Sequence, residues 1–149
     1  MGSGIERERM EQMETIVLDT DILIDYFRGV EVAKESIEGI PVNERATTDI
    51  TLMELFKGAR NKGELENIDK FIKRNMFIVL PVSSSASRRA VQILRRYSIQ
   101  KGLGLPDALI AAVTISADGK LITGNKRHFE FIEGLKVDLP SYRRDIEKK

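Results

Sequence analysis

Residues 16–27 read IVLDTDILIDYF. Three apolar residues, two of them β-branched, run straight into Asp19-Thr20-Asp21, and Asp25 follows one helical turn later. The triplet Ile16-Val17-Leu18 reads as a short buried strand broken by Asp, and ILIDYFRG behind it as a short helix closed by Gly29. A strand that hands over directly to a helix is the repeating step of a parallel sheet, because parallel neighbours need a crossover between them. The carboxylates at this junction have two explanations. Asp caps helices, for about 1 kcal/mol, and fills turns. Alternatively, carboxylates crowded at the end of a buried strand hold a cation, which removes the repulsion that would otherwise protonate one of them.

The same alternation continues along the chain. VAKESIEGI reads as a helix ending at Gly39, RATTDI as a strand, TLMELFKGARNKG as a helix closed by Gly63, and ELENIDKFIKRN as a charged amphipathic helix. FIVLPV is the clearest strand after the first. SSSASRRAVQILRRYSIQKG follows on Ser caps, with Ala90, Val91, Leu94 and Ser98 along one stripe. LPDALIAAVTISADG is an alanine-rich helix with Pro106 in its first turn, KLITGN a strand entering a turn, and LKVDLP a last short strand. The expected fold class is therefore α/β: a parallel sheet of four to five strands with helices on both faces. Residues 1–14 read as a polar leader, flexible or helical, and residues 15–149 as a single domain. In open parallel sheets ligands lie outside the carboxyl ends of the strands, which is where Asp19 is expected.

Composition narrows the chemistry. The 149 residues include 24 Lys plus Arg against 23 Asp plus Glu, so bulk positive charge does not drive any nucleic-acid binding. There is no Cys, which excludes thiolate zinc sites, disulfides and a Cys nucleophile, and suits a cytoplasmic setting. The single His128 cannot build a His-rich metal site. Any metal must be held mostly by oxygen, which favours Mg²⁺ or Mn²⁺ over Zn²⁺. No apolar run approaches the roughly 20 residues of a membrane span.

Four places carry candidate chemistry: Asp19-Thr20-Asp21, Glu54, Asp107, and Thr123-Gly124-Asn125. Each has a plainer explanation. Asp25 reads as a polar position on a short helix. Helical periodicity puts Glu54 opposite the apolar stripe, as a surface residue, yet near the end of a strand. Asp107 lies in the first turn of its helix, where a carboxylate favours the helix dipole. Ala108, Ala111 and Ala112 let that helix approach its neighbour closely and bring Asp107 near the first strand. Thr123 can be a strand-end residue and Asn125 a turn residue. Arg88, Arg89, Arg95 and Arg96 repeat seven apart, with Lys101 beyond them and Lys126 and Arg127 beside the Thr123 turn. They read as a solvated surface or as phosphate contacts. Tyr26, Tyr97 and Tyr142 are scattered and form no stacking platform.

Taken in order, VLDTDILIDYF, TTDITLMELFKGA, GLPDALIAAVT and LITGNKRHFEFI resemble the four motifs of the PIN-domain ribonucleases, and in particular the VapC toxins of toxin–antitoxin pairs. The resemblance runs from about Thr15 to Leu139. It implies an acidic metal pocket at the strand ends and cleavage of RNA assisted by Mg²⁺ or Mn²⁺. On this resemblance Asp19, Glu54 and Asp107 match the acidic catalytic and metal-binding positions, with Thr20 and Thr123 supporting them. The fourth motif departs from the common acidic form, with Asn125 at one position and His128 where an Asp often precedes the Phe. Arg88, Arg95, Lys126 and Arg127 are the candidate RNA contacts. A homodimer and an antitoxin protein are the partners the resemblance implies. Two other readings stand beside it. The segment LDTDIL also fits the Asp-x-Asp signature of haloacid-dehalogenase-like phosphatases, with Asp19 as nucleophile, but leaves Glu54 and Asp107 without roles. A PIN fold with a weakened metal site would serve only as a binding module.

Overall fold

Ile16–Leu18 (β1) is three residues long and occupies the middle of the sheet. The computed structural model describes residues 13–75 and 77–143, so most of the expected leader, residues 1–12, lies outside the described residues. Beside β1 run β2 (Arg45–Thr48) and β4 (Lys120–Ile122), and the edges are β3 (Ile78–Leu80) and β5 (Lys136–Asp138). The order is β3-β2-β1-β4-β5, and each neighbouring pair is parallel. The chain thus builds outward from β1 in one direction, then returns to its other side. That reversal puts a topological switch point between β1 and β4, at the ends where Asp19 and Thr123 emerge.

Helices cover both faces. They are α1 (Thr20–Phe27), α2 (Glu31–Glu38), α3 (Asp49–Gly58), α4 (Lys62–Arg74), α5 (Ser84–Lys101) and α6 (Leu105–Ser116). Side chains alternate across a strand, and β1 shows the consequence: Val17 packs with α5 and α6, Leu18 with α1 and α4. Val17 and its layer include Ala90, Ile93, Ala111, Leu121 and Phe129; Leu18 and its layer include Ile22, Leu23, Leu55, Phe71 and Phe77. Ala108, Ala111 and Ala112 are fully buried, and the close approach expected of this alanine-rich helix is made with α5. The polar residues of buried β2 are satisfied. Arg45 donates to the carbonyls of Ile40, Glu38 and Asn75, and Thr47 Oγ1 donates to the Leu18 carbonyl. None of the described helices is long and apolar enough to cross a membrane.

Two local expectations differ from the structure. α3 stops at Gly58, and Gly63 lies inside the first turn of α4 rather than closing α3. The reason is Asn61, whose side chain accepts the Glu64 N–H at 2.9 Å and starts a new helix. On α5 the buried stripe is Ala86, Ala90, Ile93 and Tyr97, whereas Val91 is 65% exposed. Ile93 and Tyr97 bury more apolar surface than Val91 and Ser98 can, and the Tyr97 ring packs on Phe131.

Candidate active site

The ends of β1 and β4, the first turns of α1 and α6, and the outer face of α3 come together at the carboxyl edge of the sheet. Asp19 follows β1 and is the N-cap residue of α1, with extended backbone (φ −74°, ψ 162°). The capping explanation holds for its position but not for its side chain. A cap oxygen ordinarily accepts from the second or third helical N–H. Here Oδ1 accepts from the first, Thr20 N–H, at 2.8 Å, and Oδ2 accepts the Thr123 hydroxyl at 2.7 Å. Thr123 follows β4 and in turn accepts the Asn125 N–H at 3.0 Å. The network therefore uses the backbone of Asn125; its side chain is exposed.

Glu54 sits on the outer face of α3, exposed as its helical phase predicts. It nonetheless belongs to this edge, because Thr20 Oγ1 donates to its Oε1 at 2.8 Å. Thr20 and Thr123 thus hold Glu54 and Asp19 from residues far apart in the chain. Asp107, half-buried in the first turn of α6, faces the same charges. Burial raises its pKa, Glu54 and Asp21 push it further, and His128 opposes them. Asp19 is raised from 3.8 to about 7, first by burial and next by Asp21, with Asp107 adding to the same sense. Its hydrogen bonds to Thr123 and Thr20 pull the other way.

Asp21, a member of the opening triplet with no role among the family's matched positions, also lies at this edge. Its Oδ2 accepts the Gly124 N–H at 2.8 Å, while Oδ1 is buried with no hydrogen-bond partner. The signal was present in the Asp-x-Asp spacing at a helix start. Beside the carboxylates lies a cavity of about 450 Å³, lined by Lys101, Asp107, Arg127, His128, Glu130 and Phe131. Arg127 is thus brought to the site. Arg88 and Arg95 are exposed on α5, and Arg88 lies about 20 Å along the helix axis from Lys101.

The donor set fits a hard divalent cation by its chemistry. All the candidate ligands are carboxylate oxygens, and a buried Asp21 oxygen has no partner. Among the described residues no three His, Asp or Glu side chains converge closely enough to hold an ion as they stand. A cation bound through one or two carboxylates and its own waters, the usual habit of Mg²⁺, needs no such closed cage.

The family model described as PIN domain matches residues 16–134, a span holding Asp19, Asp21, Glu54, Asp107 and Thr123. The chain belongs to the PIN-domain family, VapC type. It is 31% identical over 122 residues to Ribonuclease VapC19 of Mycobacterium tuberculosis, covering 80% of this chain and 95% of that protein. Among solved structures it resembles a toxin–antitoxin complex from Klebsiella pneumoniae, with 32% identity, a TM-score of 0.68, and coverage of 80% of this chain and 94% of that one. It also resembles the DNA-bound VapBC of Salmonella typhimurium, with 26% identity, a TM-score of 0.69, and coverage of 85% and 98%. Membership of the VapC group disfavours the phosphatase reading of Asp19-x-Asp21. It leaves Tyr142 and Arg143, which also reach this edge, beyond the matched span.

Proposed function

We propose that this chain is an endoribonuclease, the toxin of a toxin–antitoxin pair, that hydrolyses RNA phosphodiester bonds with the help of Mg²⁺ or Mn²⁺. The observation that carries the reading is a pair of tethers at one sheet edge, Thr123 to Asp19 and Thr20 to Glu54, with Asp107 near enough to feel the charge of Glu54 and to act on that of Asp19. Asp19 and Asp107 would hold the ion. When bound, a divalent cation lowers the pKa of an attacking water and offsets charge on the leaving oxygen. Glu54, exposed and held by the Thr20 hydroxyl, would be the residue that orients a water for attack on phosphorus. Lys101 and Arg127, which line the same cavity as Asp107, draw the phosphate in. The resemblance to solved toxin–antitoxin complexes supports an antitoxin partner; on the family resemblance it would silence the pocket by setting a basic side chain among the carboxylates. A homodimer is the other assembly the family resemblance implies.

The test is RNA cleavage in Mn²⁺ by Asp19→Asn, Glu54→Gln and Asp107→Asn. Each is expected to lose at least about 100-fold in rate, about 2.7 kcal/mol of transition-state stabilisation, while keeping its fold by circular dichroism. Wild-type rates in Asp19→Asn and Asp107→Asn would end the assignment.

A further inference from the structure

The opening motif holds a third carboxylate that the reaction does not use. Asp25 Oδ2 accepts Arg143 Nη2 at 2.8 Å and the Tyr142 hydroxyl at 2.9 Å. The other terminal guanidinium nitrogen, Nη1, lies 3.9 Å from Asp21 Oδ2, the oxygen that accepts the Gly124 N–H. Arg143 therefore bridges two acids one turn apart on α1. The Asp21 and Asp25 side chains are only 24% and 17% exposed, and that of Arg143 32%, so these charges face each other with limited solvent between them. Gly124 makes room for the arrangement. A Cβ there would collide with the Arg143 guanidinium and the Asp21 carboxylate.

The arrangement has a direction. Asp25 and Tyr142 fix Arg143 away from the site, and Arg143 presents its free edge to Asp21, which stands beside Asp19. Without the cation, Asp21 would add an uncompensated negative charge to a pocket that must admit a phosphate. We infer that Arg143, anchored by Asp25, is a positioning residue of the ribonuclease site: it cancels the charge of Asp21 next to Asp19 and so keeps the depression open to RNA. The inference rests on the endoribonuclease reading, but its source is a C-terminal pair outside the span matched by the family.

The experiment is a double-mutant cycle on the full chain: wild type, Arg143→Gln, Asp21→Asn and the double variant. Each is measured for KM and kcat on RNA, for Mn²⁺ affinity by calorimetry, and for Tm. Asn at position 21 still accepts the Gly124 N–H, so the cycle changes charge more than hydrogen bonding. Arg143→Gln is expected to raise KM for RNA about three- to tenfold and to tighten Mn²⁺ by a similar factor, because the pocket becomes more negative. In the Asp21→Asn background the same substitution is expected to be nearly silent on both. Unchanged KM and Mn²⁺ affinity in Arg143→Gln would overturn the inference, as would equal losses in both backgrounds, the mark of a purely structural tie. If Arg143→Gln does not fold but the double variant does, the pair serves the fold rather than the site and the inference fails. If neither folds, it fails. Should the wild type cut no RNA, the endoribonuclease reading falls, while the Mn²⁺ titrations still decide what Arg143 does.

Discussion

Asp19 is a carboxyl group whose surroundings favour its proton. Burial and the neighbouring Asp21 raise its pKa from 3.8 to about 7, so the folded, metal-free chain binds that proton more tightly than the unfolded chain does. Between these two values the metal-free fold therefore loses stability as pH rises, and above about 7 the loss from this group is complete. The ceiling on the effect is about 4 kcal/mol, at about 1.4 kcal/mol per pH unit. Chelator-treated Asp19→Asn is accordingly expected to be more stable than wild type at pH 8, with the gap closing towards pH 4, as followed by urea melts. A cation needs the ionised acid, so Mn²⁺ affinity is expected to fall by up to about tenfold per pH unit below 7, whereas affinity independent of pH would remove Asp19 from the ligand set. Thr20 is the second test at this scale. Thr20→Val keeps the shape and loses the 2.8 Å bond to Glu54, so the rate is expected to drop about tenfold with little change in Tm, while Thr20→Ser retains it.

Elements decide whether those side chains can meet, and here small residues matter. Gly119 joins α6 to β4, and a Cβ on it would stand 3.0 Å from the Thr15 carbonyl and 3.2 Å from Val17 Cγ2. Neither neighbour can give way easily, because Thr15 O accepts the Lys120 N–H that starts the β1–β4 pairing. Gly119→Ala is therefore expected to cost about 1–3 kcal/mol. Gly58→Ala, where the added methyl meets nothing within 4 Å, is expected to be neutral or mildly stabilising; thermal melts separate the two. The contrast bears on what a sequence can disclose. Short apolar runs ended by Asp or Thr were enough to place β1 and β4, and with them the edge where Asp19 and Thr123 lie. Glu54 was legible only in part. Its phase on α3 correctly exposes it, but its bond to Thr20 spans 34 residues and depends on how α3 abuts α1. The stripe on α5 was misjudged by a residue because Tyr97 looks partly polar in sequence and packs as an aromatic. Arg143, 118 residues from Asp25, carries no local pattern at all.

The whole molecule is nearly neutral, with a formal charge of +1, yet Asp19, Asp21, Glu54 and Asp107 lie together at one edge of the sheet. Attraction for RNA must then come from a few local cations. Lys101 and Arg127 line the cavity beside Asp107, whereas Arg96 is engaged by Glu133 and Arg88 sits about 20 Å along α5 from Lys101. This distribution makes substrate length a variable. A short RNA seated at the carboxylates can reach Lys101 and Arg127 but not Arg88. For single strands each phosphate contact adds about −0.7 to the slope of log affinity against log salt. On a trinucleotide, Arg127→Ala is expected to lower the slope by about that amount and Arg88→Ala to leave it unchanged. On an RNA long enough to follow α5, both substitutions are expected to lower it. The measurement is binding by anisotropy across a salt series in Ca²⁺, chosen to limit cleavage. A slope that ignores Arg127 on both lengths would show that phosphate enters from another side of the depression. A slope lowered by Arg88→Ala on the trinucleotide would show that α5, rather than the Asp107 cavity, receives the RNA first.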